Sequence, residues 1–405
     1  MTSAQFNGTP KRSYETTPDL SNVVSVEDLR AKTHKLMPRF VLEYLEGGAG
    51  EEATLVHERE SFSNWCFMPH TLVDESNRSV AVPILGKTAE MPLVVAPTGL
   101  NAVFRHHGDI ELATGAARCG VPFTQSTMSN DPMEDVAQVP GLRHWWQLYV
   151  FGGDEIWQEL VDRAAKNGCE ALVLTTNSQI FGRREWDQRA RTSSGFPNFS
   201  SIFDAALHPR WLAKTMLHGM PQFANVIDFI PKDRRSFFDS ANWIREQMPR
   251  SLSWDDVAKI RDRWRGPFFI KGILNLQDVR HARDSGVDGI VLGTHGGRQG
   301  DWEVSALDIL EEARKIVGPE FPLFMSGGVR RGSDILKARA LGADAVMTGR
   351  AMLYGLCAFG ADGVAKAIQL LRDEMMNEIG QIGLASLDHI SADIMVSKSK
   401  LPLSQ

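Results

Sequence analysis

The stretch "RDSGVDGIVLGTHGGRQGD" (283–301) contains one complete unit of the fold that we predict. A helix-like segment ends at Gly286, an apolar run follows at 288–292, and a glycine-rich turn comes next. A glycine suits the left-handed conformation that closes many helices, and a continuous apolar run suits a parallel strand that is buried on both faces. The stretch is therefore typical of an α/β protein.

The same order of helix, glycine and strand recurs at Gly120, Gly168 and Gly342. Other apolar runs bring the candidate strands to eight, and helical patterns such as the amphipathic segment 154–168 follow most of them. The eight runs are "MPLVVAP" (91–97), "VPFTQS" (121–126), "RHWWQLYV" (143–150), "CEALVLTT" (169–176), "GPFFIKG" (266–272), "VDGIVLGT" (287–294), "FPLFMSGG" (321–328) and "ADAVMTG" (343–349). Eight parallel strands that alternate with helices predict an α/β fold of the TIM (β/α)8 barrel type. A doubly wound sheet is the alternative, but no GxGxxG sequence opens a helix after the first strand.

The pattern predicts a single barrel domain over residues 26–390, with a helical segment at its N-terminal end. Residues 188–250 interrupt the alternation after the fourth strand and are predicted to form an insert. The polar residues 1–25 are expected to form a flexible tail, and residues 391–405 a C-terminal tail.

The composition is that of an ordinary globular protein, with 43% hydrophobic and 23% charged residues and a net charge of -6. The absence of a basic excess argues against a nucleic-acid partner. The four cysteines are scattered, without CxxC pairs or metal-type spacing, so we expect neither disulfides nor a metal site. No signal-type apolar segment is evident, and we expect a cytoplasmic location.

In a TIM barrel the chemistry lies where the strands meet the loops that follow them. Polar or glycine residues end all eight candidate strands, and their joint presence predicts one shared site. A polar residue that merely ends its own strand would explain any single case, but not all eight. These residues are Pro97, Thr98 and Gly99; Gln125 and Ser126; Gln147 and Tyr149; Thr175 and Asn177; Lys271; His295 and Arg298; Ser326, Gly327 and Gly328; and Gly349 and Arg350.

Two pairs of features at these ends indicate specific chemistry. His295 can act as a general base near neutral pH, and Arg298 can hold a carboxylate through two parallel hydrogen bonds, although a lone histidine is often only a hydrogen-bonded loop residue. The loops "SGGVRRG" (326–332) and "TGR" (348–350) join glycines to arginines before helix starts. Each alone could be a tight turn with a solvated arginine, but together they favour a phosphate-bearing cofactor.

From about Val26 to Leu387 the chain resembles the FMN-dependent 2-hydroxy-acid oxidase and dehydrogenase family, which includes glycolate oxidase, flavocytochrome b2 and mandelate dehydrogenase. The family's active-site stretch S-N-H-G-G-R-Q corresponds to "GTHGGRQ" (293–299). The motifs "YLEGGAGEE" (44–52), "APTGLN" (96–101) and "SGGVRRGSDI" (326–335) are most similar to the mandelate dehydrogenase branch.

The resemblance implies an FMN cofactor and a role for each matching residue. His295 would remove a proton from the substrate, and Lys271 would lie beside the flavin N1/O2 edge, where a fixed positive charge stabilises the reduced ring. Tyr44, Tyr149, Arg184 and Arg298 would contact the substrate. The cofactor contacts would come from Pro97, Thr98, Gly99, Ser126, Gln147, Thr175, Lys271, Gly293, Ser326, Gly327, Gly328, Arg330, Gly349 and Arg350, with Arg330, Gly349 and Arg350 at the phosphate.

The implied reaction oxidises an (S)-2-hydroxy acid to the 2-keto acid. Glycolate oxidase has alanine where this chain has Gly99, and the family's tryptophan in the next loop is Met128. Both differences predict space for a bulky or aromatic, mandelate-like substrate. The electron acceptor stays open among oxygen, a quinone and a cytochrome, and the resemblance implies a homo-oligomer.

Four positions depart from the family close to the chemistry. Asn177 occupies the position where the family has the aspartate that partners the histidine. Gly293 and Thr294, directly before His295, occupy the positions where the family has serine and asparagine. Ser326 stands for the aspartate that would hold the ribityl hydroxyls. An amide supplies no charge and could favour the other histidine tautomer, so His295 should be a weaker base.

Because of Asn177, a second function stays open, in which the same fold and cofactor perform an isomerisation or oxidative decarboxylation. A non-catalytic flavin-binding protein is a third interpretation.

Segment 200–230 mixes apolar residues with charges, and in the mandelate dehydrogenase branch such an insert associates with the membrane. Peripheral contact with the inner face of a membrane and a lid or packing role account equally well for this composition.

Overall fold

The computed structural model describes Tyr14 and residues 17–192, 196–248 and 252–401. The remaining residues, which include most of the predicted N-terminal tail and the end of the C-terminal one, lie outside the described part of the chain. Within it the strands are β1 (Trp65–Phe67), β2 (Val82–Ile84), β3 (Lys87–Ala89), β4 (Leu93–Val95), β5 (Phe123–Ser126), β6 (His144–Leu148), β7 (Ala171–Thr175), β8 (Phe268–Ile273), β9 (Gly289–Leu292), β10 (Leu323–Ser326), β11 (Ala345–Thr348) and β12 (Met395–Ser397).

The α-helices of the same residues surround these strands. They are α1 (Val26–Leu36), α2 (Arg39–Glu46), α3 (Ala53–Ser63), α4 (Gly108–Arg118), α5 (Met133–Val136), α6 (Asp154–Lys166), α7 (Glu185–Arg189), α8 (Phe199–Ala206), α9 (Pro209–Lys214), α10 (Phe237–Gln247), α11 (Trp254–Arg263), α12 (Leu276–Asp284), α13 (Ala306–Val317), α14 (Gly332–Ala340), α15 (Arg350–Phe359) and α16 (Ala361–Gln381).

Strands β4 to β11 form a closed parallel barrel, which confirms the predicted TIM barrel and all eight candidate strands. The ring closes where the last strand pairs with the first, with Thr348 opposite Val95. Every residue of β4 to β7 is buried, because the barrel interior covers one face and the helices cover the other. Parallel pairing brings all eight strand ends to the same side of the barrel.

The helices also bury the apolar residues and end at the glycines that the sequence pattern predicts. In α6 the apolar residues Ile156, Leu160 and Ala164 are buried, as their helical spacing predicts. Gly168 and Gly286, which end helical segments, have φ values of 71° and 81°, a conformation that glycine adopts without strain. The predicted turn from helix to strand is therefore confirmed at both positions.

The N-terminal helices α1 to α3 pack across the end of the barrel where the strands finish. The amide of Ala49 donates to the carbonyl of Gly297 at 2.8 Å, and that of Gly50 donates to the carbonyl of Arg183 at 3.0 Å. Near the other end of the chain, β12 pairs with β1 in an antiparallel ribbon. Residues 395–397 are thus part of the folded unit.

Between β7 and β8 the chain forms α7 to α10 and short 3-10 turns before α11 resumes the barrel pattern. Helix α8 exposes Phe199, Ile202 and Phe203, and only Ser201 of this helix is buried. No helix in the described part of the chain is both long and apolar enough to cross a membrane.

Candidate active site

A cavity of about 900 Å³ opens at the ends of the barrel strands, where the N-terminal helices and the insert meet. The predicted residues that line it are Tyr44, Pro97, Thr98, Gly99, Ser126, Tyr149, Arg184, Lys271, His295, Arg298, Ser326, Gly327, Gly328, Arg330, Gly349 and Arg350. Of the other five, Gln125 is not part of this site, because its amide bonds with Ser129, the Asp131 carbonyl and His144. The other four lie directly behind this wall. Gln147 accepts a hydrogen bond from Ser126, Thr175 is the register partner of Lys271, Asn177 contacts His295, and Gly293 contacts Asn177.

His295 sits in the tight turn after β9 with a φ of 60°, a left-handed conformation that few non-glycine residues adopt. Its ring is held from both sides. Nδ1 lies 3.3 Å from Asn177 Oδ1 and 3.3 Å from Ser178 Oγ, and Nε2 lies 3.3 Å from the hydroxyl of Tyr149. Backbone strain of this kind persists only where surrounding contacts impose it, and it is typical of functional sites.

The orientation of the Asn177 amide sets the tautomer of His295. Asn177 Nδ2 donates to the carbonyl of Gly293 at 3.2 Å, so the amide oxygen faces His295 Nδ1. A flipped amide would place two oxygens against each other. His295 therefore carries its proton on Nδ1, and its Nε2 lone pair faces the Tyr149 hydroxyl. This differs from the expected change of tautomer, because the Gly293 carbonyl orients the amide.

The cavity is strongly cationic. Burial, together with Lys271, Arg184 and Arg298, lowers the pKa of His295 well below its usual value. Burial also lowers the pKa of Lys271 to about 8, and burial and Arg184 lower that of Arg298 to about 9. Positive groups crowded in a buried space favour bound anions, which would raise all three pKa values.

Arg298 presents an unused hydrogen-bond donor. Its Nη1 donates to the carbonyl of Gly47 at 2.7 Å, whereas the buried Nη2 has no hydrogen-bond partner among the described residues and lies 4.0 Å from Asp187. The guanidinium lies over the ring of Tyr44, 4.9 Å from its centroid, and Arg184 Nε donates to the Arg298 carbonyl at 3.2 Å. This arrangement leaves a fixed donor for a substrate carboxylate.

The two arginines predicted at a phosphate differ in their surroundings. All three side-chain nitrogens of Arg350 donate to backbone carbonyls, including those of Leu45 at 2.9 Å and Gly296 at 2.9 Å. Arg330 uses only Nη1, which donates to the carbonyl of Val329 at 2.8 Å. Arg350 thus ties the N-terminal helices to the barrel, while Arg330 keeps donors beside the start of α15, where an anion is favoured.

Further donors at the strand ends lack partners within the described structure, among them Thr348 Oγ1 on the cavity wall. Gln147 Nε2 and Thr175 Oγ1 are buried without a hydrogen bond. Desolvated donors of this kind are costly unless a bound group satisfies them. They fit the polar edge of a planar ring beside Lys271.

A comparison with known proteins gives this cavity its chemical context. The family described as FMN-dependent dehydrogenase matches residues 33–397. The chain belongs to this family. It therefore uses FMN and is an oxidoreductase that acts on 2-hydroxy acids.

Individual members of the FMN-dependent dehydrogenase family show the extent of the similarity. The chain is 40% identical to (S)-mandelate dehydrogenase from Pseudomonas putida over 375 residues, which cover 92% of this chain and 94% of the relative. It is 33% identical to an L-lactate dehydrogenase from Acinetobacter baumannii over 379 residues, which cover 93% and 99%. The crystal structure of the monotopic membrane protein (S)-mandelate dehydrogenase superposes with a TM-score of 0.89 at 39% identity and covers 93% of this chain and 100% of that one.

The unsatisfied donors of Gln147 and Thr175, the buried Lys271 and the donors of Arg330 fit the ring and phosphate of FMN. Sequence reasoning did not identify Ser178, which contacts His295, or the outer wall contributed by the insert. The apolar residues of that wall are Phe181, Phe223, Phe238, Ala241 and Ile244. No motif marks them, because their position depends on how the insert folds back over the barrel.

Proposed function

We propose that the protein oxidises a bulky or aromatic (S)-2-hydroxy acid to the 2-keto acid. The observation that carries this proposal is that one cavity is lined by both His295 and Arg298, and that Arg298 has an unpartnered donor, Nη2. When bound, FMN accepts the two electrons. The similarity to mandelate and L-lactate dehydrogenases supports the same reaction class and handedness.

The roles of the side chains follow from their chemistry. Arg298, with Arg184 beside it, binds the substrate carboxylate and fixes the acid in the cavity. His295 Nε2 takes the hydroxyl proton, and Asn177 holds the ring with Nδ1 protonated. Lys271 keeps a positive charge where negative charge develops. The hydrogen on the α-carbon leaves with the two electrons.

The size of the cavity supports an aromatic side chain on the substrate. Its outer part is lined by Met128 and by the phenylalanines of the insert. Met128 also packs against Gly99, where an added methyl group would lie 2.9 Å from Met128 Cβ. Aromatic walls of this kind recognise an apolar ring through buried area and edge contacts.

The test is an anaerobic visible spectrum of the FMN-loaded protein before and after addition of (S)-mandelate, (R)-mandelate, L-lactate or glycolate. We expect the flavin band to bleach most rapidly with (S)-mandelate or a related aromatic acid. Bleaching only with glycolate or lactate would contradict the proposed substrate size. A band that no 2-hydroxy acid bleaches would favour the isomerisation or decarboxylation alternative, for which the loss of the carboxylate at Asn177 is the supporting observation.

We also propose that the insert docks on a membrane surface. Phe199 and Leu217 are 84% and 79% exposed, and the basic residues Arg210 and Lys214 lie on the same segment. Other exposed apolar residues of this surface are Ile202, Phe203, Leu207 and Met220. Exposed apolar side chains on a segment that also carries cations suit the interface of an anionic bilayer.

Cosedimentation with phosphatidylcholine vesicles that contain phosphatidylglycerol tests this proposal. Wild-type protein should pellet with the vesicles, and the double variant Phe199→Ser, Phe203→Ser should stay in the supernatant. Leu72→Ser, at a fully exposed position elsewhere, is the matched control and should bind like the wild type. If the wild type stays in solution and the double variant changes only KM, the insert is a lid.

A further inference from the structure

Helix α3 carries a buried carboxyl group beside the cavity. Glu58 is 2% exposed, and its Oε2 has no hydrogen-bond partner among the residues that the structure describes. Its Oε1 accepts a hydrogen bond from Thr294 Oγ1. A desolvated carboxyl oxygen without a partner is costly, so its retention calls for a ligand or a structural reason.

The neighbours of Glu58 show that the free oxygen belongs to the cofactor region. A Cβ atom added at Gly327, which lines the cavity, would clash with Glu58 Oε1 and lie 3.0 Å from Oε2, so the carboxyl group packs directly against this glycine. The cations that act on the Glu58 carboxyl are Arg350, Arg330 and Lys271, and all three line the cavity. Because Gly327 has no side chain, the Glu58 carboxyl group lies directly behind the backbone of the cavity wall.

Contacts of the neighbouring residues hold Glu58 in place. The next residue, Arg59, donates to the carbonyl of Gly328 and ion-pairs with Asp334 at 2.7 Å, so α3 is anchored to the loop after β10. Thr294 also accepts from the amide of Gly297 at 2.9 Å, which ties the Glu58 contact to the turn that carries His295. On β10 itself, Ser326 is short, and its hydroxyl donates to the carbonyl of Leu292 at 3.3 Å.

We propose that Glu58 is a cofactor-binding residue whose carboxylate accepts a hydrogen bond from a hydroxyl of the FMN ribityl chain. The inference rests on the proposed placement of FMN in this cavity. Between the phosphate beside Arg330 and the ring beside Lys271, the ligand presents alcohol groups, which are donors that a carboxylate binds well. Ser326 supplies no carboxylate there, so Glu58 provides the charge from a different element of the fold.

The test measures binding of FMN and of riboflavin to the apoprotein by quenching of flavin fluorescence, without any turnover. Glu58→Gln keeps the size of the side chain and removes its charge, and should weaken both ligands about 10- to 100-fold, as expected for a lost charge-assisted hydrogen bond. Because riboflavin lacks the phosphate, an equal effect on both ligands excludes a contact through the phosphate. Unchanged binding of lumiflavin, which has the ring without the ribityl hydroxyls, then places the contact at the ribityl chain. Glu170→Gln, beside the start of β7 at the opposite end of the barrel, is the matched control and should leave both affinities unchanged.

Further variants separate this role from a structural one. Thr294→Val removes the Thr294 contact and should weaken FMN binding less than Glu58→Gln. In the Glu58→Gln protein, Ser326→Asp should restore most of the affinity, because it returns a carboxylate to the same region.

Three results would overturn the proposal. Tighter FMN binding by Glu58→Gln would mean that the carboxylate repels the phosphate. An equal loss of affinity in Thr294→Val would mean that Glu58 has a purely structural role. The third result is unchanged binding of both flavins by Glu58→Gln. Circular dichroism of each apoprotein checks the fold. Failure of the proposed oxidation would leave these affinities unaffected, so the two proposals are tested independently.

Discussion

The amide oxygen of Asn177 lies 3.3 Å from Nδ1 of His295, on the opposite side of the ring from the Tyr149 hydroxyl. Asn177 can orient the imidazole, but it cannot stabilise its protonated form with a charge. If His295 is the base that we propose, it keeps its orientation but lacks the charge that would strengthen it.

Replacing Asn177 with aspartate should raise the pKa of His295 and increase the rate of flavin reduction by the hydroxy acid about ten-fold or more. The rate is measured by anaerobic stopped-flow absorbance. Ser178→Ala, which removes the other partner of Nδ1 without adding charge, is the control and should produce no increase. An unchanged rate in the aspartate variant would mean that base strength does not limit the reaction.

The pH dependence of kcat/KM should show an activity plateau that extends into acidic solution. His295 acts as a base only when neutral, and its lowered pKa keeps it neutral until the pH falls well below the usual histidine range. Activity should decline as the pH rises through the Lys271 pKa of about 8, because the lysine then loses its charge. Bound anions shift both limits upward.

Lys271→Arg provides the matched test of this upper limit. Arginine keeps its charge to a higher pH than lysine in the same surroundings, so the decline should shift to higher pH even if the maximal rate falls. A decline that persists unchanged in this variant would assign the upper limit to a different group.

Arg298→Lys should raise KM for the hydroxy acid about ten-fold or more, since lysine keeps the charge but lacks the planar fork that binds a carboxylate. FMN affinity should change little, because the substrate donor and the phosphate donors are on different residues. Arg189→Lys, an exposed arginine that pairs with Glu185, is the control. An unaltered KM in Arg298→Lys would remove Arg298 from the carboxylate site.

Met128→Trp should narrow the outer cavity and lower kcat/KM for (S)-mandelate about ten-fold or more relative to L-lactate, because an overpacked pocket excludes the larger ring. Met128→Leu conserves the volume and should keep the original preference. Steady-state kinetics with both acids measure the ratio. A ratio that does not change would show that the aromatic group binds elsewhere.

The barrel could be predicted from the sequence because parallel strands and helix-closing glycines leave strong local patterns. Lys271, His295 and Arg298 could be assigned to one site because strand ends converge in such a barrel. These inferences need only the order of elements and the common direction of the strands.

Other features depend on contacts between distant parts of the chain. Glu58 meets Thr294 only because α3 folds over the strand ends, and nothing in its local sequence marks it as a cofactor neighbour. The orientation of the Asn177 amide depends on the carbonyl of Gly293. The exposed face of α8 reflects how the insert packs, and a mixture of apolar and charged residues does not determine that packing.

The pairing of β11 with β4 joins the end of the barrel to its beginning, and α3 from the N-terminal segment reaches the turn after β9. The flavin pocket is therefore complete only when early and late parts of the polypeptide have come together. Newly made chains can acquire their cofactor only near the end of synthesis and folding. The yellow colour of a purified preparation thus marks molecules in which the ring has closed.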